Sequence, residues 1–247
     1  MDNAKVSIAE LDEKKAILFG LAPFSDGVKR LKRKTDLRDF VYTNLKLYGS
    51  ALTHGGVERV LEGVTVPGVP VFEHRLCEAH RKLLSRFESK IEMDIEVDSI
   101  VLNEFCGILC GSDFTPYRTG APCLYHLDFV PGDPECISAD LAEAFKQIAR
   151  TDFAADICRK AAAVHGAIVN VYPYADSFSE MAARTAMQYE LVKGGYFPVD
   201  LELSEPDYNT IIAQAVKSGN PAPLADVLRT AIFRKLHMLI DAVERGV

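Results

Sequence analysis

Apolar residues recur at helical spacing along most of this chain. Between residues 37 and 52 they stand three or four positions apart, which indicates one face of a helix. The same spacing or composition predicts further helices over residues 1–17, Glu73–Lys90, Ile95–Leu109, Ser138–Arg150, Ala155–Val171, Ser179–Lys193, Tyr208–Ser218 and Pro223–Glu244. The helix over Ala155–Val171 is apolar almost throughout, so we expect it to be buried at the centre of the fold.

The stretch Gly111–Pro134 follows a different pattern. Glycines and prolines alternate there with β-favouring residues, which predicts an irregular loop followed by a short extended or hairpin segment. The sequence therefore predicts a mainly α fold, a helical bundle with one short β-hairpin. We expect one globular unit over residues 37–247, preceded by a helical extension over residues 1–36.

Composition and charge exclude some classes of function. Of the 247 residues, 48% are hydrophobic and 26% charged, which is ordinary globular usage. The net charge of −7 argues against nucleic-acid binding, which needs clustered cations. The basic run Lys29–Lys34 is either a small phosphate-binding patch or a solvated helix start or loop. The N-terminus is polar and acidic and no apolar run is long enough for a bilayer, so we expect a cytoplasmic protein without membrane contact.

Six cysteines are spread thinly over the chain. They are Cys77, Cys106, Cys110, Cys123, Cys136 and Cys158. Cys106 and Cys110 are four residues apart and could share a helix face, but no second pair follows at a spacing typical of zinc sites. We interpret all six as reduced thiols, most of them buried.

A short loop joins the two central predicted helices. The first helix ends at Tyr172-Pro173, because the residue before a proline disfavours helix. This helix–loop–helix resembles the core of the Fic family, whose loop has the pattern HPFx(D/E)GNGRxxR. Two residues match this pattern, Pro173 and, at the acidic position, Asp176. Tyr172 stands in the His position and Tyr174 in the Phe position. Ser177, Phe178 and Ser179 replace Gly-Asn-Gly, and Glu180 replaces the first Arg. Arg184 fits the second Arg only with one inserted residue.

The resemblance continues upstream of the loop. Tyr117-Arg118 and the following segment are similar to the family's target-docking hairpin, the flap, which implies a protein target or partner docked near Tyr117–Val130. The stretch around Ser50–Gly55 resembles the family's self-inhibitory helix, (S/T)xxxE(G/N), whose Glu pairs with the second Arg of the loop. Ser50 and Gly55 match this pattern, and His54 stands in the Glu position.

The resemblance implies a chemistry and a set of site residues. Fic proteins typically transfer AMP from ATP to a protein hydroxyl, with a general base, Mg²⁺ and a phosphate cradle. The resemblance assigns catalytic positions to Tyr172, Asp176 and Arg184, and it makes Asp176 the metal ligand. It assigns nucleotide-binding positions to Ser177, Phe178, Ser179 and Glu180. It assigns regulatory positions to Ser50, His54 and Gly55. ATP and Mg²⁺ are the implied cofactors. His165, seven residues before Tyr172, is either a core histidine or an assisting base.

The replaced residues count against that chemistry. A tyrosine with a pKa of about 10 is only about 0.1% ionised at neutral pH, so Tyr172 is a poor base. Phe178 adds bulk where phosphate would lie, and the flanking serines lack the conformational freedom of glycine. Glu180 puts a negative charge in the position of a phosphate-binding Arg. His54 cannot form the inhibitory ion pair with Arg184.

Three readings of function remain from the sequence. The first is a Fic-fold protein with a degenerate site that binds or regulates a partner and needs no cofactor. The second is a transferase that moves AMP, or another phosphate- or sugar-linked group, from a nucleotide donor to a protein hydroxyl. The third is conventional nucleotidyl transfer by a divergent site. The sequence leaves a homodimer open.

Overall fold

The structure of the protein is a computed structural model, and it describes residues 5–113, 115–122, 124, 126–127, 129–175 and 177–246. These residues form ten α-helices and no β-strand. The helices are α1 (Ile8–Gly20), α2 (Asp26–Lys46), α3 (His54–Leu61), α4 (Val71–Glu92), α5 (Ser99–Cys110), α6 (Ile137–Arg150), α7 (Ile157–Val171), α8 (Phe178–Lys193), α9 (Glu205–Ser218) and α10 (Ala222–Glu244). A 3₁₀ turn over Pro134–Cys136 leads into α6.

The mainly α prediction is confirmed, and most of the predicted helices lie within a few residues of the observed ones. Two predictions differ more: the N-terminal helix, predicted over residues 1–17, runs from Ile8 to Gly20, and the helix predicted from Leu37 to Leu52 has other bounds. Helix α2 begins much earlier, at Asp26, where Ser25 caps it by accepting a hydrogen bond from the Val28 N–H. It ends at Lys46, so the apolar spacing continued past the true end of the helix.

The N-terminal half of α2 contains the basic run Lys29–Lys34. Lys32 pairs with Asp36 one turn later, and Lys34 pairs with Glu58 of α3. The run therefore lies in a helix, distributed around its surface, and is partly neutralised by acidic neighbours. The boundary expected between residues 36 and 37 falls inside this continuous helix, and the division into extension and domain stays a prediction.

The hairpin of α7 and α8 forms the centre of the fold. Helix α8 is buried along nearly its whole length, and α2, α4 and α5 pack around it. Small residues allow the close packing, because Ala161 and Ala162 of α7 and Ala182, Ala183 and Ala186 of α8 are all buried. Helix α10 packs on α7 and α2 and is covered by α1. Within the described ranges, no helix has the length and apolar character required to cross a bilayer.

The predicted β-hairpin is not seen. The described residues between Gly111 and Pro134 contain no strand, only turns and irregular backbone. Prolines at positions 116, 122 and 131 remove N–H donors that a ladder would need. The segment is attached to the core instead, through the buried side chains of Leu124 and Leu127 and through the guanidinium of Arg118. We keep the name flap for residues 117–130.

Two glycines test the close packing of the central hairpin. Gly194 ends α8 with an ordinary backbone conformation, but a Cβ there would collide with the side chain of Ile157. We expect Gly194→Ala to lower the free energy of unfolding by about 1–3 kcal/mol, the usual cost of overpacking. Gly166 in α7 is the control, because a Cβ there meets nothing within 4 Å. Gly166→Ala should raise stability by about 0.5–1 kcal/mol.

Urea unfolding of the two variants beside the parent protein measures both effects. Equal stability of the Gly194 variant and the parent would contradict the close approach of α7 and α8.

Candidate functional site

The candidate site is the loop between α7 and α8, and its first residue has an unusual backbone. Tyr172 ends α7 with φ at 50° and ψ at 63°, in the left-handed region that is uncommon for residues other than glycine. This conformation turns the chain sharply out of the helix. The Tyr172 N–H still closes the last helical turn by donating to the Ile168 carbonyl at 2.8 Å.

Arg118 of the flap holds this turn in place. Its buried guanidinium donates to four carbonyl oxygens, those of Tyr172 (2.7 Å), Val171 (3.4 Å), Gly120 (3.0 Å) and Gly132 (2.7 Å). Its backbone N–H donates to the Pro173 carbonyl at 2.9 Å. Burial, the largest cause, lowers the pKa of Arg118 from its ordinary value, although Asp133 opposes the shift. A single side chain thus ties both ends of the flap to the end of α7.

The Tyr172 side chain points into the protein. It is 2% exposed, and its hydroxyl donates to Glu180 Oε1 at 3.0 Å. Burial and the neighbouring Glu180 carboxylate raise the pKa of Tyr172 well above its ordinary value. The phenol is therefore neutral and acts as a hydrogen-bond donor.

Glu180 lies in the first turn of α8, 6% exposed. Its Oε1 is 2.8 Å from His126 Nε2 of the flap, and its Oε2 is 3.9 Å from Arg184 Nη1. Burial alone would raise the pKa of Glu180, but the His126 hydrogen bond and the charge of Arg184 outweigh it and leave the pKa below its usual value. A buried, ionised carboxylate thus lies at the position that the sequence resemblance assigns to the first Arg of the motif.

Arg184 is fully buried one turn further along α8. Its Nε donates to Asn44 Oδ1 at 3.2 Å, and its Nη1 donates to the Tyr208 hydroxyl at 3.4 Å. The guanidinium also lies over the Tyr208 ring, 5.4 Å from the centroid. The structure therefore brings Tyr172, Glu180 and Arg184 together in one internal network.

His165 belongs to the same network. Its Nε2 is 2.6 Å from the Tyr208 hydroxyl, and its side chain is buried. Burial and the nearby Arg184 charge lower the pKa of His165 to about 3. The ring is neutral at physiological pH, as expected of a core histidine.

Two of the residues that replace Gly-Asn-Gly make contacts with neighbouring parts of the protein. Ser179 Oγ accepts from the Tyr174 N–H at 2.7 Å and donates to the Tyr174 carbonyl at 2.9 Å. Phe178 begins α8 and meets Phe72 of α4 edge to face, with centroids 6.4 Å apart. Ser177 precedes α8 without a side-chain capping bond. Asp176, the predicted metal ligand, lies outside the described residues, so that assignment stays a prediction.

The residues predicted to regulate the site lie elsewhere. His54 begins α3, stacks on Tyr42 with centroids 3.7 Å apart, and places Nε2 2.9 Å from Asp200 Oδ2. The Ser50 hydroxyl donates to the Glu73 carboxylate, and Gly55 lies in the first turn of α3. Among the contacts found for the described residues, none joins these three positions to Arg184.

Asn44 is the residue that sequence reasoning missed. It is buried near the end of α2 and contacts Arg184 through both its side-chain oxygen and its carbonyl oxygen. Counted from Asn44, the pattern (S/T)xxxE(G/N) places Tyr48 in the Glu position and Gly49 after it. The match of Gly49 to the last position of this pattern was the sequence evidence for Asn44. Counting the pattern from Ser50 gave two matches, Ser50 and Gly55, and was therefore preferred.

The described residues hold no group of three or more His, Cys, Asp or Glu side chains that could bind a metal ion. The nearest acidic group in the loop region, Glu180, is already engaged by Tyr172, His126 and Arg184. Among the described residues of the loop and the first turn of α8, the charge at position 180 is negative, which counts against a phosphate group at that position.

The contact between His126 and Glu180 should make the stability of the protein depend on pH. The hydrogen bond to Glu180 raises the pKa of His126 above its ordinary value of about 6.5. A raised pKa means that the folded state binds the proton more tightly, so this pair stabilises the protein fully below about pH 6.5. The stabilisation is lost as pH rises through the raised pKa.

His126→Gln should therefore cost more stability near about pH 5.5 than near about pH 8.5, measured by urea unfolding at each pH. Taking the difference from the parent protein removes the contributions of the other histidines. A difference that is the same at every pH would contradict the ion pair.

Comparisons with known proteins connect this geometry to a fold. No family model and no curated protein matches the sequence. Among solved structures, the chain is similar to a Fic domain containing signaling protein from Bacteroides thetaiotaomicron, with a TM-score of 0.80 and 17% identity over 96% of this chain and 98% of that one.

Two further structures agree. Fic-1 from C. elegans (residues 134–508) gives a TM-score of 0.72 at 18% identity, covering 95% of this chain and 70% of that one. A Fic family protein from Desulfovibrio desulfuricans gives 0.71 at 16% identity, covering 95% and 74%. The chain therefore has the fold of Fic-domain proteins over nearly its whole length.

Proposed function

We propose that this protein is a Fic-family member that does not carry out conventional AMP transfer and acts as a binding or regulatory module. The observation that carries the proposal is the buried contact between Tyr172 and Glu180. It joins the position of the family's base to the position of its first phosphate-binding Arg. Both positions are used to stabilise the fold, so neither is available to a nucleotide.

The first support for the proposal is that neither candidate for the general base, Tyr172 or His165, is suited to accept a proton near neutral pH. A general base must accept a proton near neutral pH, and Tyr172 is a neutral phenol whose pKa is raised by burial. Its hydroxyl already donates to Glu180. His165, the other candidate base, has a pKa of about 3 and accepts or shares a proton only with Tyr208 inside the core. Loss of general-base help typically costs about 10² to 10⁴ in rate.

The second support is the charge of the residues expected to bind phosphate, Glu180 and Arg184. Transfer from ATP requires positive groups or N–H donors directed at developing negative charge. The described residues of the loop offer a carboxylate at position 180, while Arg184 is fully buried and directs its donors at Asn44 and Tyr208. Moving Arg184 toward a nucleotide would leave those acceptors unpaired in the core, at about 1–3 kcal/mol for each.

A transfer assay tests the loss of activity. We expect no incorporation when the protein is incubated with labelled ATP and Mg²⁺, alone or with candidate protein targets. A Fic protein with an intact HPFx(D/E)GNGRxxR loop is the positive control. Tyr172→His should not restore transfer, because Glu180 still places a negative charge in the phosphate position. Robust labelling by the parent protein would overturn the proposal.

Nucleotide binding separates the proposal from a repurposed transferase. We expect ATP, other nucleotides and nucleotide sugars to leave the melting temperature unchanged, since a ligand must bind the native state to raise it. A reproducible shift with one nucleotide sugar would favour the alternative, in which the site moves another phosphate- or sugar-linked group to a protein hydroxyl.

The flap is the proposed docking surface for a protein partner. Val130 at its end is 85% exposed, so it offers such a partner an apolar contact. A photo-crosslinking residue at position 130 should capture the partner. The control position is Met93, 63% exposed beside the opposite end of α8, where Lys193 donates to the Asp94 carbonyl. Equal capture at both positions would count against docking at the flap.

A further inference from the structure

Two thiols meet in the last turn of α5. Cys106 is fully buried, while Cys110 is the final residue of the helix and is exposed. Their sulfur atoms are 4.0 Å apart. The sequence places them four residues apart, and the helix converts that spacing into direct contact on one face.

The exposed thiol opens into a positively charged cavity. A space of about 570 Å³ lies between α4 and the end of α5, and Cys110 lines it together with Arg75 and Lys82. Glu78, the acidic residue in the lining, pairs with Arg81. Partial exposure gives a small oxidant access to the sulfur of Cys110.

The neighbouring thiol favours the ionised form further. The hydrogen-bond contact with the Cys106 sulfur is the main cause that lowers the pKa of Cys110 to about 7, against the opposing effect of partial burial. Thr115 at the start of the flap segment contributes in the same direction. Cys106 itself stays a thiol, because its contact with Cys110 and its burial raise its pKa.

We propose that Cys110 is a peroxide-sensitive thiol and that Cys106 resolves its oxidised form into a disulfide within α5. The Cys110 thiolate attacks one oxygen of hydrogen peroxide, breaking the O–O bond and giving a sulfenic acid and hydroxide. The Cys106 sulfur then attacks the Cys110 sulfur, an S–S bond forms, and the sulfenic oxygen leaves as water with the Cys106 proton. Two thiols are oxidised and one peroxide is reduced.

The position of the pair permits closure. The two sulfur atoms must approach from 4.0 Å to about 2 Å. Cys110 can move because it ends the helix and is followed by Gly111 in the left-handed conformation, with φ at 70°. Asn103, about one turn before Cys106, donates through Nδ2 to the Thr115 carbonyl at 3.2 Å, two residues before the flap.

The remaining cysteines provide internal controls. Burial raises the pKa of Cys77 and of Cys158 to about 12, so both should resist oxidation. Cys136 is exposed like Cys110, but among the described residues no second thiol contacts it. Cys123 lies outside the described residues and is followed separately at the peptide level.

The test is peroxide titration of the folded, reduced protein near neutral pH, followed by alkylation and peptide mass spectrometry. The free thiol of Cys110 should disappear about threefold faster than that of Cys136, because the lowered pKa of Cys110 raises its thiolate fraction by more than it lowers its nucleophilicity. The product should be a peptide linking Cys106 to Cys110, two hydrogen atoms lighter than the dithiol. In urea-unfolded protein the rate advantage should disappear.

Two variants separate the roles of the thiols. Cys106→Ser should stop the reaction at the Cys110 sulfenic acid, which a 1,3-diketone probe traps. Cys136→Ser, the matched control, should leave the disulfide yield unchanged. Equal oxidation of Cys110 and Cys136 in the folded parent protein, or no linked peptide, would overturn the proposal without recourse to any variant. Neither result bears on AMP transfer, so the two proposals are tested independently.

Discussion

The full burial of Arg184 is the constraint around which the candidate site is organised. An ionised group without partners in a protein interior is very costly, so its surroundings must supply acceptors. Asn44 and Tyr208 supply two of them, and the Glu180 carboxylate balances the charge. These partners come from α2, from α9 and from α8 itself, so the buried cation of α8 is bonded to two other helices.

This arrangement changes what the loop can do. In a transferase the polar groups of such a loop stay unpaired until substrate arrives, which is part of their catalytic effect. Here Tyr172 donates to Glu180, His126 meets the same carboxylate, and His165 meets Tyr208. These described side chains of the site therefore form hydrogen bonds within the protein, where the bonds contribute to stability.

The sequence predicted the helices and the position of the loop because both depend on local features. Apolar spacing marked α4 and α7, and Tyr172-Pro173 marked the end of α7. The contact of Asn44 with Arg184 spans 140 residues, so the apolar spacing along the chain could not predict it. The predicted β-hairpin in the flap is not seen, because the prolines and the hydrogen bonds of Arg118 outweigh the β propensity of the segment.

The way Arg118 holds the loop has a consequence for how such a site can evolve. Its guanidinium bonds are made to carbonyl oxygens, which every amino acid has, and at Tyr172 it touches the backbone without depending on the ring. Side chains on the loop can therefore be exchanged without changing its path. A lineage could lose its catalytic residues one at a time and keep a folded, soluble scaffold on which new recognition is selected.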